Sequence, residues 1–232
     1  MPGTNLTSRP AGLLTISVLV TAVLYVVPYG RTIAWPLVLL STLAHELGHG
    51  IAAALLGGRF EALHMYADAS GAAIWSGRFG RLATATVAGA GLLGPALAAF
   101  FLLLFGRTPR GARAVLGCTG TALVVIALLV ARNPFAVAFI LIVGATLLVV
   151  AGRSEKLSQM VVVFVAVQLA LSVFSRRDYL FTRTAITATG AGPSDVSVMA
   201  SALFLPYWFW GFLCGGLSLL LLALGARKFF RH

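Results

Sequence analysis

Seven long apolar stretches run through this chain, and they limit what it can fold into. They lie near residues 11–29, 33–57, 82–106, 114–131, 134–151, 158–174 and 202–225. Each is ~17 to 25 residues long, the length that a helix needs to cross the hydrocarbon core of a bilayer. Of the 17 basic and six acidic residues, only Glu46 lies within one of them. The pattern predicts an all-α polytopic membrane protein with about seven transmembrane helices, residues 1–232 forming a single transmembrane domain.

The composition excludes other classes of protein. Hydrophobic residues make up 59% of the chain and charged residues 10%, which is too little charge for a soluble, coiled-coil or disordered protein. The net charge of +11 would suggest nucleic-acid binding in a soluble protein. Here most of the arginines lie in or beside the predicted loops, where they meet lipid head groups. We therefore expect a multi-pass protein of a bacterial plasma membrane whose partner is the lipid bilayer and not nucleic acid.

Two connecting segments are long enough to have structure of their own. Residues 59–78 read as two short strands around the turn Asp68-Ala69-Ser70-Gly71, so a β-hairpin insertion is predicted after the second helix. Residues 175–201 form a polar connection that contains Asp178 and Asp195. Basic residues divide almost equally between the two sides of the membrane, which leaves the orientation open. Oligomeric state has no signal in the sequence.

The second apolar stretch contains the motif His45-Glu46-Leu47-Gly48-His49. Residues four apart lie on one face of a helix, so both imidazoles can bind one metal ion while the glutamate reaches the adjacent position. A carboxylate near the bilayer centre costs ~2.5 to 3.5 kcal/mol, so it persists where it faces a cavity, a partner or a metal. The position of Glu46 thus favours a metal site over a hydrogen-bonded polar cluster between helices.

Small residues indicate which helix packs against this one. Ala44, Gly48 and Ala52 recur every four residues, and such a row lets another helix backbone approach closely. The third apolar stretch has the matching glycines, Gly89, Gly91 and Gly94. We predict that these two helices pack together.

The segment 44–50, set in an apolar helix and followed by a double glycine and a predicted hairpin, resembles the site-2 protease family of intramembrane zinc metalloproteases, in particular its compact bacterial branch. Weaker similarities to this branch lie at Gly94-Pro95, Arg132-Asn133-Pro134-Phe135, Asp178-Tyr179-Leu180, Ser194-Asp195, Pro206 and Trp210. The resemblance implies an integral membrane protein with a zinc ion, a membrane-protein substrate, His45 and His49 as metal ligands, and Glu46 as the general base.

The third metal ligand does not follow from the resemblance. Studied site-2 proteases take it from an Asp-Gly pair in a later helix, and this chain has no Asp-Gly pair. A catalytic zinc site uses three protein ligands and one open position. Asp195 follows Ser194, a predicted helix N-cap, and a bend at Pro206 can fold it back toward the histidines. Asp178 follows two arginines, so we favour Asp195 and keep Asp178 as the alternate. Four other residues are expected to be solvated: Glu61, His64, Asp68 and Glu155.

The sequence predicts an intramembrane zinc metalloprotease that hydrolyses peptide bonds of membrane-embedded or membrane-adjacent substrates. The main alternative is a non-catalytic metal-binding membrane protein, a degenerate protease that binds transmembrane segments. An aspartyl protease built on Asp178 and Asp195 would leave the histidines unexplained. A metal transporter lacks a second polar helix, and a rhomboid-like serine mechanism lacks its serine motif.

Overall fold

The structure, a computed structural model, describes residues 10–175, 178–188 and 190–231. The membrane-embedded helices alternate with two small hairpins. The elements are α1 (Pro10–Val26), α2 (Gly30–Ile33), α3 (Trp35–Leu55), β1 (Arg59–Met65), β2 (Gly71–Ser76), α4 (Arg81–Phe105), α5 (Pro109–Leu129), α6 (Pro134–Arg153), α7 (Glu155–Ser175), α8 (Asp178–Phe181), β3 (Thr184–Thr187), β4 (Gly190–Pro193), α9 (Asp195–Leu203) and α10 (Tyr207–Phe230).

The predicted class, an all-α polytopic membrane protein, is confirmed. Within the described residues, six helices are long and apolar enough to cross a membrane: α3, α4, α5, α6, α7 and α10. The first predicted span differs from the rest, because α1 ends at Val26 after 17 residues. At 1.5 Å per residue it is ~26 Å long, slightly less than the hydrocarbon core. Tyr29, with a positive φ of 62°, begins the turn into α2.

Helices α3 and α4 pack as closely as their small residues predict. A Cβ atom on Gly48 would lie 2.3 Å from the Ala90 carbonyl oxygen, and one on Gly94 would lie 2.3 Å from that of Ala44. Only glycine fits at these two positions, since backbone atoms cannot move aside as side chains do. The close contact places the metal-motif helix directly against α4.

The predicted hairpin after the second membrane stretch is confirmed. Strands β1 and β2 are antiparallel, with a register shift between Phe60 and Ala62. The other edge of β1 is also bonded, because Leu63 pairs with residues 130–132 of the α5–α6 connection. The Asn133 side chain extends this contact by bonding both backbone groups of Met65. Strand β1 is therefore bonded on both edges, to β2 on one side and to the α5–α6 connection on the other. Strand β2 lies on the side of the hairpin that faces α3.

The connection at 175–201 has more structure than a polar loop. It contains α8 and a second antiparallel hairpin, β3–β4, before α9 begins at Asp195. The expected bend at Pro206 is a complete break, because α9 ends at Leu203, its C-cap Phe204 is in the left-handed conformation and α10 begins after Pro206. The break makes α9 a short separate helix.

Candidate metal centre

Both histidines of α3 direct their rings to the same side of the helix. His45 and His49 lie four residues apart, and their Nε2 atoms are separated by 3.1 Å. The two rings are almost perpendicular, with centroids 4.7 Å apart. The spacing in the sequence thus brings two nitrogen donors together, as expected for residues on one helical face.

Asp195 reaches both histidines from the first turn of α9. Its Oδ2 atom lies 3.1 Å from Nε2 of His45, and its Oδ1 atom lies 3.4 Å from Nε2 of His49. Ser194 is the N-cap predicted from the sequence, and its hydroxyl accepts from the Ser197 N–H. The Ser194 N–H in turn donates to the Arg183 carbonyl, which fixes the start of α9. The local cap and the hairpin before it position the carboxylate.

A backbone carbonyl on α4 orients His49. Nδ1 of His49 lies 2.9 Å from the carbonyl oxygen of Val87. A carbonyl oxygen only accepts hydrogen bonds, so Nδ1 carries the hydrogen, and in the neutral ring Nε2 holds the lone pair. Gly91 makes room for this ring, because a Cβ atom there would lie 2.2 Å from Nε2. Metal-binding histidines commonly have such a second partner.

The three donors fit a zinc ion. Zinc binds histidine nitrogen and carboxylate oxygen at ~2.0 to 2.2 Å, so donors at tetrahedral angles lie ~3.3 to 3.5 Å from one another. The two histidine Nε2 atoms lie 3.1 Å apart, close to that range, and each has a carboxylate oxygen of Asp195 near it, Oδ2 at 3.1 Å from His45 and Oδ1 at 3.4 Å from His49. Among the described residues, His45, His49 and Asp195 form the group that can hold a metal. All three are partly shielded from solvent, with side chains 11% to 19% exposed.

Glu46 lies beside this group but is directed to the hairpin. It is 7% exposed, and its Oε2 atom accepts a hydrogen bond of 2.8 Å from the Ala73 N–H of β2. Gly71 allows this approach, since a Cβ atom there would lie 2.7 Å from Cγ of Glu46. The backbone of β2 thus positions the carboxylate that follows the first histidine in sequence.

The outer edge of β2 faces α3. The backbone groups of Leu63 and Met65 bond to residues 130–133, so they point away from β2. In an antiparallel ladder their partners, Ala73 and Gly71, must then direct their own N–H and C=O groups to the opposite edge. The bond from Ala73 to Glu46 agrees with this assignment. Along β2 the backbone groups of successive residues point to opposite edges, so those of Trp75, two residues after Ala73, point to the same edge as those of Ala73.

The turns of the two hairpins contact each other. The Ser70 hydroxyl accepts from the Ala188 N–H at 3.2 Å and donates to Asp68 Oδ1 at 2.7 Å. The Ser70 N–H donates to the same oxygen, and these bonds lower the pKa of Asp68. Thr42 of α3 also donates to the Ala69 carbonyl. The second hairpin therefore joins the segment before Asp195 to the turn beside Glu46.

The other candidate residues have different surroundings. Asp178 is the first residue of α8, and its side chain lies outside the described part of the structure. Glu61 accepts a hydrogen bond from Ser76, and Glu155 lies 3.8 Å from Arg110. Within the described residues, neither these two glutamates nor His64 and Asp68 belong to the group that can hold a metal.

Three features of the site were not predicted from the sequence. They are the Val87 carbonyl that orients His49, the Ala73 N–H that holds Glu46, and the β3–β4 hairpin. The first two are backbone contacts, which carry no signal in residue type. The β3–β4 hairpin did have a sequence signal, since the run Thr-Ala-Ile-Thr followed by a glycine is typical of a strand and a turn.

A small cavity of about 40 Å³ lies beside His45. It is lined by Ser41, His45, Leu92, Pro95, Ser172, Val173 and Leu180. A water molecule needs ~10 to 15 Å³ by a comparable measure, so the cavity can hold a few water molecules. Water therefore has space next to the donor group.

No curated protein and no solved structure matched the chain. The family model described as Peptidase M50B-like matches residues 16–225, which is most of the chain and includes both histidines and Asp195. The chain therefore belongs to the Peptidase M50B-like family, the site-2 protease family of integral membrane zinc metalloproteases.

Proposed function

We propose that this protein is an intramembrane zinc metalloprotease that hydrolyses peptide bonds of membrane-embedded or membrane-adjacent proteins. The observation that carries the proposal is the convergence of His45, His49 and Asp195, with Glu46 adjacent in sequence to the first histidine. These three residues are the ligands that we assign to zinc. Family membership supports a metalloprotease in general, and the donor group supports the particular residues.

The chain's own residues account for the proton transfers of the reaction. When bound, zinc supplies a Lewis acid that activates water and polarises the scissile carbonyl. Glu46 takes a proton from the attacking water and passes it to the leaving nitrogen of the peptide. The Ala73 N–H holds Oε2 of Glu46, so Oε1 is the oxygen that we expect to accept the proton. The Val87 carbonyl keeps the hydrogen of His49 on Nδ1 and its Nε2 lone pair available.

The number of ligands favours catalysis over a purely structural metal site. Structural zinc sites in proteins use four protein ligands, whereas catalytic sites use three and keep one position for water. Among the described residues, the donor group has three members. A degenerate, non-catalytic protease would also have no need for a buried carboxylate beside the ligands. We therefore favour an enzyme over the non-catalytic alternative.

We assign the outer edge of β2 to substrate binding. A peptide bond within a helix is not accessible to a nucleophile, so a substrate helix must unwind before cleavage. An unwound segment needs new hydrogen-bond partners, and an exposed strand edge supplies them. The backbone groups of Gly71 and Trp75 lie on this edge, on either side of Ala73, whose N–H is bonded to Glu46. A substrate strand added there would pass close to the catalytic carboxylate.

Replacing Trp75 with proline is expected to reduce cleavage about 2- to 12-fold. Proline removes an outward N–H, and loss of one substrate hydrogen bond is worth ~0.5 to 1.5 kcal/mol. The β1–β2 pairing should survive, because its N–H groups belong to Ala72 and Ile74. Trp75→Ala is the matched control, since it removes the same contact with the Phe79 ring but keeps the N–H. Equal rates for the two variants would remove the support for edge pairing.

The proposed function is tested by cleavage of a membrane-anchored peptide by the purified protein in liposomes. A chelator that removes zinc is expected to abolish cleavage, and added zinc is expected to restore it. Mass spectrometry of the products locates the cleaved bond. Cleavage that continues at the full rate in the metal-free protein would refute the proposal.

A further inference from the structure

A groove on the outside of α5 and α6 shares no lining residue with the metal centre. Its volume is about 900 Å³. The lining residues are Arg110, Arg113, Ala114, Gly117, Cys118, Thr121, Ala122, Ala151, Gly152 and Glu155. The two arginines belong to the first turns of α5, and the small residues continue along the same helix. From Arg110 to Ala122 the groove follows ~18 Å of helix, from the membrane boundary into the span.

Basic residues surround the boundary end of the groove. Arg110 is 91% exposed and lies 3.8 Å from Glu155, a distance at which an exposed ion pair contributes little. Arg153 and Lys156 flank the lining residues on α6 and α7. Gln159 bonds the carbonyls of Gly106 and Arg107, which holds the α4–α5 turn at this same end. Positive charge therefore exceeds negative charge where the groove meets the head-group region.

The residues on the floor of the groove are small, and they leave space above them. A Cβ atom on Gly117 would meet nothing within 4 Å, so open space lies above it. Nearby, α5 and α6 are in close contact, since a Cβ atom on Gly120 would lie 2.9 Å from the Gly144 carbonyl oxygen. Space of this kind on the surface of a membrane span is filled by lipid or by another helix.

We propose that this groove binds an anionic phospholipid, with its phosphate at Arg110 and Arg113 and an acyl chain along Gly117 and Ala122. The charges select this occupant, since guanidinium groups pair with phosphate and basic pockets between membrane helices bind anionic head groups. An apolar helix from a second copy would bring no negative charge to either arginine. The site is independent of the catalytic residues and of the proposed protease activity.

The proposal is tested by native mass spectrometry of the purified protein titrated with phosphatidylglycerol or phosphatidylcholine. Each surface arginine contributes about 1 kcal/mol to binding of an anionic membrane, so Arg110→Gln with Arg113→Gln should weaken phosphatidylglycerol binding about 30-fold. The matched control is Arg227→Gln with Lys228→Gln, which removes two exposed charges from the last turn of α10. Gly225 packs against Phe100, so this turn lies at the same end of the helices. The control should retain binding.

A second variant tests the acyl-chain part of the site. Gly117→Leu places a side chain in the open space above the groove floor and keeps both arginines, and it should weaken phosphatidylglycerol binding about 5-fold or more. Four results would overturn the proposal. They are equal binding of phosphatidylcholine, equal loss in the control, no effect of Gly117→Leu, and competition by free glycerol phosphate at the same concentration. A protein dimer that Gly117→Leu converts to a monomer would instead assign the groove to a second copy.

Discussion

Replacing Glu46 with glutamine is expected to lower the rate of peptide cleavage by ~10² to 10⁴-fold, the contribution of a positioned general base. An amide cannot accept the proton of the attacking water. The amide oxygen can still accept the hydrogen bond from the Ala73 N–H, so the position of the side chain against β2 should be kept. Zinc binding should also be kept, because Glu46 is not part of the donor group. The measurement is the single-turnover rate in liposomes beside the zinc content.

The comparison variant for this prediction is His45→Ala, which should lose both zinc and cleavage. A loss of cleavage without loss of zinc in Glu46→Gln separates the chemical step from metal binding. If Glu46→Gln cleaved at the rate of the unmodified protein, Glu46 would not be the base, and the proposed mechanism would be wrong.

Replacing Asp195 with alanine is expected to weaken zinc binding by at least ~100-fold, because loss of a residue that only supports a ligand already costs ~10 to 100-fold. The variant keeps two nitrogen donors and loses both carboxylate oxygens, which lie 3.1 and 3.4 Å from them. Its fold should persist, since the Ser194 cap remains and a first-turn carboxylate adds only ~0.3 to 1 kcal/mol to the helix. Zinc stoichiometry of the purified variants measures the effect.

Asp178→Ala is the matched control, as it removes the other carboxylate that the sequence offers. It should retain one zinc per chain. The opposite pattern, with zinc lost from Asp178→Ala and kept by Asp195→Ala, would assign the third ligand to α8 and contradict the proposed donor group.

The sequence predicts those parts of the site that depend on local spacing. His45 and His49 are one turn apart on a single helix, so their convergence follows from helix geometry alone. The first hairpin is equally local, because its turn residues and its two strands are adjacent in sequence. The packing of α3 on α4 was predictable as well, since glycine at Gly48 and Gly94 leaves space only for another backbone.

The third donor depends on contacts between distant parts of the chain. Asp195 is brought to α3 by the packing of α9, in which Val196 and Met199 lie in one cluster with Ala85 and Ala88 of α4. The break at Phe204 then separates α9 from α10 and sets where the short helix ends. Neither contact has a sequence signal as specific as the histidine spacing. From the sequence, the choice between Asp195 and Asp178 as the third ligand could therefore rest only on the residues adjacent to each of them in the chain.

The central claim is that three residues, from two helices far apart in the sequence, hold one zinc ion and leave a position for water. Anomalous scattering at the zinc absorption edge, from crystals of the purified protein, tests it most directly. The account predicts one peak ~2.0 to 2.2 Å from Nε2 of His45, Nε2 of His49 and a carboxylate oxygen of Asp195, with Glu46 outside the coordination shell. A peak with four protein ligands, or no peak between these residues in zinc-loaded protein, would contradict it.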